Sequence, residues 1–158
     1  MSRPTEAGEV KPDPKYNSEQ LAKFVNHLME RGKKQLARRI VYGAIEDLAE
    51  HNDEEPLELF EQAIEKVGPH MEVRSRRVGG ANYHIPITVA GERKDTLAFR
   101  WIIQAAKDRH EDTMRERLAG ELENALEEEG NAIKKRDDMH NMAEANKAFA
   151  HFARFIKT

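Results

Sequence analysis

From Met71 to Val78 and again from Ala81 to Val89 the chain is rich in β-branched residues, and Gly79-Gly80 stands between the two runs. Two adjacent residues able to take positive φ close a tight hairpin, so this stretch is predicted to be a two-stranded antiparallel ribbon. A two-residue turn sets Val78 opposite Ala81, Arg76 opposite Tyr83 and Arg74 opposite Ile85, with Arg77, Asn82, Ser75 and His84 on the other face. A longer turn would shift these pairs, but three arginines and a tyrosine would still lie within a few residues of the glycines. Neither face is cleanly apolar. Pro86 lacks a ladder donor and therefore suits an edge, and both strands of such a ribbon are edges.

On either side of the ribbon the apolar period is helical. Asn17 with Gln20 is a plausible capping box, followed by Leu21, Phe24, Val25, Leu28 and Met29 and a stop at Gly32. A second helix is predicted from about Lys34 to Glu50, with Leu36, Ile40, Ala44, Ile45 and Leu48 inward. Lys34, Arg38 and Arg39 near its start oppose the helix dipole, a weak pointer to a phosphate partner. Pro56 opens a third helix through Leu57, Phe60, Ile64 and Val67, which Gly68-Pro69 ends. After Gly91 come a fourth helix, with Leu97, Trp101, Ile102 and Ala105 on one face and Trp101 as its core anchor, and a fifth capped by Thr113 and Glu116 and closing at Gly130. A sixth begins at about Ala132, with Ile133, Met139, Met142, Ala143 and Phe149 on one stripe, before a basic, aromatic tail. The fold class is mainly α: a single six-helix domain with an inserted two-stranded β-ribbon between helices 3 and 4.

The 158 residues contain no Cys, which excludes a disulfide framework, thiolate metal sites and a cysteine nucleophile. No apolar run reaches the length of a membrane span and no signal-peptide core opens the chain, so the cytoplasm is the expected compartment and no membrane partner is expected. Net charge is −3, but its distribution is uneven. Residues 1–44 hold 9 basic and 5 acidic side chains, 45–69 hold 1 and 9, 70–117 hold 10 and 7, 118–130 hold 0 and 5, and 131–158 hold 6 and 3. Local potential rather than total charge decides whether a polyanion docks, so an electrically two-faced molecule can still bind one.

Three basic clusters could carry binding. Arg74, Arg76, Arg77 and Tyr83 surround the ribbon tip at Gly79 and Gly80; guanidinium groups grip phosphate and stack on bases, and the ring offers sequence-tolerant stacking. Lys33, Lys34 and Arg38 form a second cluster, and Lys134, Lys135 and Arg136 a third, partly neutralised by Asp137 and Asp138. His140 and Glu144 lack a third ligand, so no metal is expected. Gly32-Lys33-Lys34 lacks the remaining elements of a P-loop, the acidic runs lack apolar pockets, and no cofactor or catalytic residue is expected.

Taken together, several runs resemble the family of bacterial small-subunit (30S) ribosomal protein seven. They are Glu72-Val73-Arg74-Ser75-Arg76-Arg77-Val78-Gly79-Gly80-Ala81, Arg100-Trp101, Lys134-Lys135-Arg136-Asp137, and Met142-Ala143-Glu144-Ala145-Asn146-Lys147-Ala148-Phe149-Ala150-His151. The likeness extends from about Pro12 to the tail. It implies a non-enzymatic protein, cytoplasmic in the ribosome, that binds the 3′ major domain of 16S rRNA, nucleates assembly of the subunit head and contacts exit-site tRNA and the mRNA path. Ribosomal proteins nine and eleven would be its neighbours.

Carried over by motif, Arg76, Arg77, Gly79 and Gly80 would lie near the tRNA, and Lys33, Lys34, Arg38 and Lys134 to Arg136 would face rRNA. The corresponding division is a flexible N-terminal arm over 1–16, a helical rRNA-binding domain over 17–150 with its ribbon at 71–89, and a tail over 151–158. The family usually has a more basic arm and a net positive charge, whereas Met1 to Lys15 here holds three basic and three acidic residues. Without the resemblance, an architectural DNA-binding protein with a β-ribbon arm is the alternative; such arms commonly carry an apolar or proline wedge, and this tip has none.

Overall fold

In the computed structural model, which describes residues 10–156, seven helical elements and one hairpin follow the periodicities closely. The helices are α1 (Glu19–Leu28), α2 (Lys34–Asn52), α3 (Pro56–Val67), α4 (Glu92–Lys107), α5 (Met114–Leu126) and α6 (Gly130–Ala145), with a C-terminal 3-10 helix over Lys147–Phe155. Strands β1 (Met71–Val78) and β2 (Ala81–Thr88) lie between α3 and α4. Residues 1–9 of the expected arm and 157–158 of the expected tail lie outside the described residues.

Local chemistry explains most boundaries. Ser18, not Asn17, caps α1: its hydroxyl accepts from the Leu21 N–H at 3.1 Å, a contact worth about 1 kcal/mol. Asn17 sits in the left-handed region at φ 53 and turns the chain into the cap. Thr113 caps α5 as expected, its hydroxyl accepting from the Glu116 N–H at 3.2 Å. Helix α5 ends at Leu126 rather than Gly130, because Glu128 turns left-handed at φ 56 and Gly130, at φ 87, already opens α6.

Residues 10–16 of the expected arm are docked, not extended. Asp13, only 2% exposed, accepts from the Lys15 and Tyr16 N–H groups at 3.0 and 2.9 Å and from the Tyr42 hydroxyl at 2.5 Å. Tyr16 meets Tyr42 edge-on at 5.6 Å, and Lys15 pairs with Glu46 on α2. Burial and the Asp13 carboxylate together push the Tyr42 hydroxyl up to about 12.

One core joins all six α-helices, centred on Phe24, Phe60 and Phe99, whose ring centroids lie 5.1 to 6.4 Å apart. Each such pair adds about 1 kcal/mol beyond area burial. Trp101, expected to anchor this core, lies at its margin at 9% exposed, while Phe99 takes the centre. Leu36 and Met142, both expected inward, are 44% and 46% exposed, since α2 and α6 each pack along a narrower stripe than their apolar residues suggested. The expected stripe of the sixth helix also stops short of Phe149, which belongs to the 3-10 helix. No buried side-chain polar atom among the described residues lacks a partner. The buried Glu121 carboxylate, for example, accepts from the Ala132 N–H at 2.9 Å, satisfying a donor at the start of α6, and pairs with Arg109 at 3.1 Å.

Candidate nucleic-acid interface

The hairpin has the register that a two-residue turn dictates: Val78 pairs with Ala81, Arg76 with Tyr83 and Arg74 with Ile85. Gly79 and Gly80 take φ of 59 and 86, a pair of positive angles that an L side chain would resist. At the root, Ile85 and Ile87 are buried, and Glu72 accepts from Arg93 of α4 at 3.0 and 3.1 Å and from Arg74 at 3.3 Å. Burial alone would push the Glu72 carboxyl up; the hydrogen bonds from Arg93 and Arg74 outweigh it and hold the group below the usual carboxylate range. The Val89 N–H donates to the His70 carbonyl at 2.9 Å, and the His70 N–H donates to Nε2 of His140 on α6 at 3.0 Å. The outer half of the ribbon thus stands on a root tied to α4 and α6.

The expected ribbon residues divide into two groups. Arg76 and Arg77 are exposed and make no ion pair among the described residues, and with Gly79 and Gly80 they form an open tip. Arg74 and Tyr83 are inside the scaffold: Arg74 is spent on Glu72, and the Tyr83 ring packs against Phe149 and Phe152 of the 3-10 helix.

The two helical clusters occupy separate surface grooves. Lys34 and Arg38 share one of about 340 Å³ with Lys11, Pro12 and Asn26. Lys33 lines another of about 500 Å³, together with Arg31, Lys107 and the apolar Leu36, Ile40 and Met114. Lys134 and Lys135 border a third of about 290 Å³, with Trp101, Gln104 and Asn131 beside them and Asp108 and Asp138 also on its rim. Arg136 does not join its neighbours in sequence. Its guanidinium donates to the Lys66 carbonyl at the end of α3 at 2.6 Å and to Asp137 at 2.9 Å, so it closes a helix C-terminus. Sequence reasoning missed Lys11, which reaches the Lys34 groove because Asp13 folds the chain back, Asn26, which α1 brings to the same groove, and Arg31, which the left-handed backbone before Gly32 turns outward.

The α3 part of the acidic 45–69 block lies elsewhere. Glu58, Glu61 and Glu65 of α3 line a groove that shares no residue with the three basic ones. A polyanion could therefore meet two concavities with a basic excess, one lined by Arg31, Lys33 and Lys107 and one by Lys11, Lys34 and Arg38, and a positive ribbon tip, while in the third groove Asp108 and Asp138 balance Lys134 and Lys135.

The model for ribosomal protein S7p/S5e matches residues 2–147. The chain is 60% identical over 143 residues to the small ribosomal subunit protein uS7 of Nautilia profundicola, covering 90% of this chain and 92% of the relative. It is 57% identical over 143 residues to that of Syntrophobacter fumaroxidans, again covering 90% and 92%. To that of Chromohalobacter salexigens it is 56% identical over 144 residues, 91% of this chain and 92% of the relative. The matched span takes in α1 to α6 and the hairpin, and the chain belongs to the ribosomal protein S7p/S5e family.

Proposed function

We propose that this chain is a structural protein of the small ribosomal subunit that binds the 3′ major domain of 16S rRNA, nucleates assembly of the head, and extends its ribbon toward exit-site tRNA and the mRNA path. Family membership carries the coarser part: a non-enzymatic ribosomal component with rRNA as its general ligand, working in translation in the cytoplasm. The 3′ major domain and head assembly are what the family resemblance implies, and the assignment of the ribbon to tRNA and mRNA rests on one observation. Arg76 and Arg77 stand exposed and without ion-pair partners at the end of a ribbon whose root is anchored in α4 and α6, an arrangement that presents charge at a distance from the body.

The geometry supports a division of labour. Lys33, Lys34, Arg38, Lys134 and Lys135 neutralise rRNA phosphates on the helical body, with ribosomal proteins nine and eleven as neighbours, and the tip arginines serve tRNA and mRNA. Arg136, Arg74 and Tyr83 hold the elements that carry these groups. The architectural DNA-binding alternative gains nothing from the hairpin, whose glycine tip offers no wedge to insert between base steps.

Binding of the chain to a 16S head fragment, measured at several salt concentrations and followed by footprinting, tests the rRNA assignment. A steep fall in affinity with salt and protection confined to the 3′ major domain are expected. Equal affinity for random duplex DNA would overturn it. For the ribbon, Arg76→Ala with Arg77→Ala is expected to weaken exit-site tRNA retention more than head assembly; equal loss of both, or of neither, defeats that assignment.

A further inference from the structure

We infer that the C-terminal 3-10 helix is a strut that fixes the direction of the ribbon, with Tyr83 as the positioning residue. A two-stranded ribbon is marginal on its own in water, and the contacts at its root end at about the Arg74–Ile85 pair. Beyond that pair the side chains from Ser75 to Ala81 on the two strands and turn are exposed or half-exposed. Tyr83 is the exception in its surroundings. Its ring lies 5.0 Å from Phe149 at 61° and 5.1 Å from Phe152 at 43°, and those two rings are near-parallel at 6.3 Å, so they form two walls of a seat. Phe155 and His151 back Phe152 from behind, at 6.2 and 4.1 Å.

The helix that supplies the seat has little other attachment. None of its residues is fully buried; it packs chiefly on β2 and only lightly on α6. A 3-10 run of nine residues is long for that geometry, and packing against the ribbon gives a reason for its persistence. Each element thus completes the other. The consequence reaches the tip: Gly79 lies five residues beyond Arg74, about 17 Å at the rise of an antiparallel strand, so a tilt of about 20° would carry the tip about 6 Å. That displacement is roughly twice a hydrogen-bond length, enough to take Arg76 and Arg77 off a phosphate they had gripped.

The chain has no Cys, so two introduced cysteines would be its only thiol labelling sites. Nitroxides at Asn82→Cys on the ribbon and Glu61→Cys on α3, both exposed positions, report ribbon direction as a distance distribution in the RNA-free chain. This experiment stands or falls separately from the rRNA assignment. The parent distribution is expected to be narrow. Tyr83→Ala should widen it about twofold, and so should Phe149→Ala with Phe152→Ala, while helical circular dichroism stays unchanged. Tyr83→Phe should restore the narrow distribution, because the ring and not the hydroxyl makes the contact. The Phe pair lies outside the core and keeps the test available if Tyr83→Ala fails to fold. An unchanged width in the Phe149→Ala/Phe152→Ala chain, or widening by Tyr83→Phe equal to that by Tyr83→Ala, would overturn the strut.

Discussion

Arg136 shows how far a residue's company in sequence can differ from its company in space. It stands beside Lys134 and Lys135, yet its guanidinium closes the end of α3 through the Lys66 carbonyl. Arg136→Ala leaves that carbonyl without its charged donor and should cost about 1–2 kcal/mol, read as a lower urea midpoint, whereas Lys134→Ala and Lys135→Ala should stay within about 0.5 kcal/mol. Two histidines set an acid limit. Burial, then His70 and Arg136, holds His140 below the ordinary value of 6.5, and burial with Arg100 does the same to His27. Both stay neutral in the fold at a pH where the unfolded chain takes up the proton. Stability should therefore be complete above about pH 7 and decline as pH falls through 6.5 toward the lowered folded values. The Glu46 and Asp47 carboxyls, held down by hydrogen bonds from Lys15 and Arg115, add a further loss only below the ordinary carboxylate values of 4.5 and 3.8. A thermal midpoint followed from about pH 7.5 to 5.5 should fall, and His140→Gln, which keeps an acceptor for the His70 N–H but cannot titrate, should flatten that part of the curve.

At the scale of elements, the ribbon turn depends on two glycines in the left-handed region. Gly79→Ala or Gly80→Ala should cost about 1–2 kcal/mol, and the loss should be local: faster amide exchange over residues 75–84, with the helices still protected. These glycines also explain why the ribbon was legible in the sequence, since a two-residue turn leaves one register and every facing pair follows from it. Helix limits were legible where a stop or a cap stands in the chain, as at Pro56, Thr113 and Gly91. They were not where two candidates compete: Asn17 and Ser18 both suit a cap, and only the left-handed backbone at Asn17 decides between them. What an apolar stripe could not reveal was its depth of burial, hence Leu36 and Met142 at the surface and Phe99 rather than Trp101 at the centre. The seat for Tyr83 was hidden for a different reason: its walls come from residues more than sixty positions later, and no local pattern joins a tyrosine in a strand to phenylalanines in a short helix.

At the scale of the whole molecule, the α3 carboxylates stand apart from the grooves lined by Lys33, Lys34 and Arg38. Glu58→Gln, Glu61→Gln and Glu65→Gln together would raise the net charge from −3 to zero, yet these side chains line their own groove, so affinity for a 16S head fragment should change by less than about twofold. Lys33→Ala with Lys34→Ala makes the chain more acidic by a smaller amount and should reduce the salt dependence of binding by about one unit of slope for each phosphate no longer neutralised. Opposite outcomes for these two changes would return the explanation to total charge. The marginal position of Trp101 has an optical consequence. The molecule has a single indole, and it borders the Lys134–Lys135 groove but neither of the other two basic ones. Ultraviolet emission from the unlabelled protein therefore reports a ligand arriving on the Trp101 side, at the Lys134–Lys135 groove or the adjoining His27–Arg100 concavity, and stays silent to filling of the Lys33 and the Lys34–Arg38 grooves.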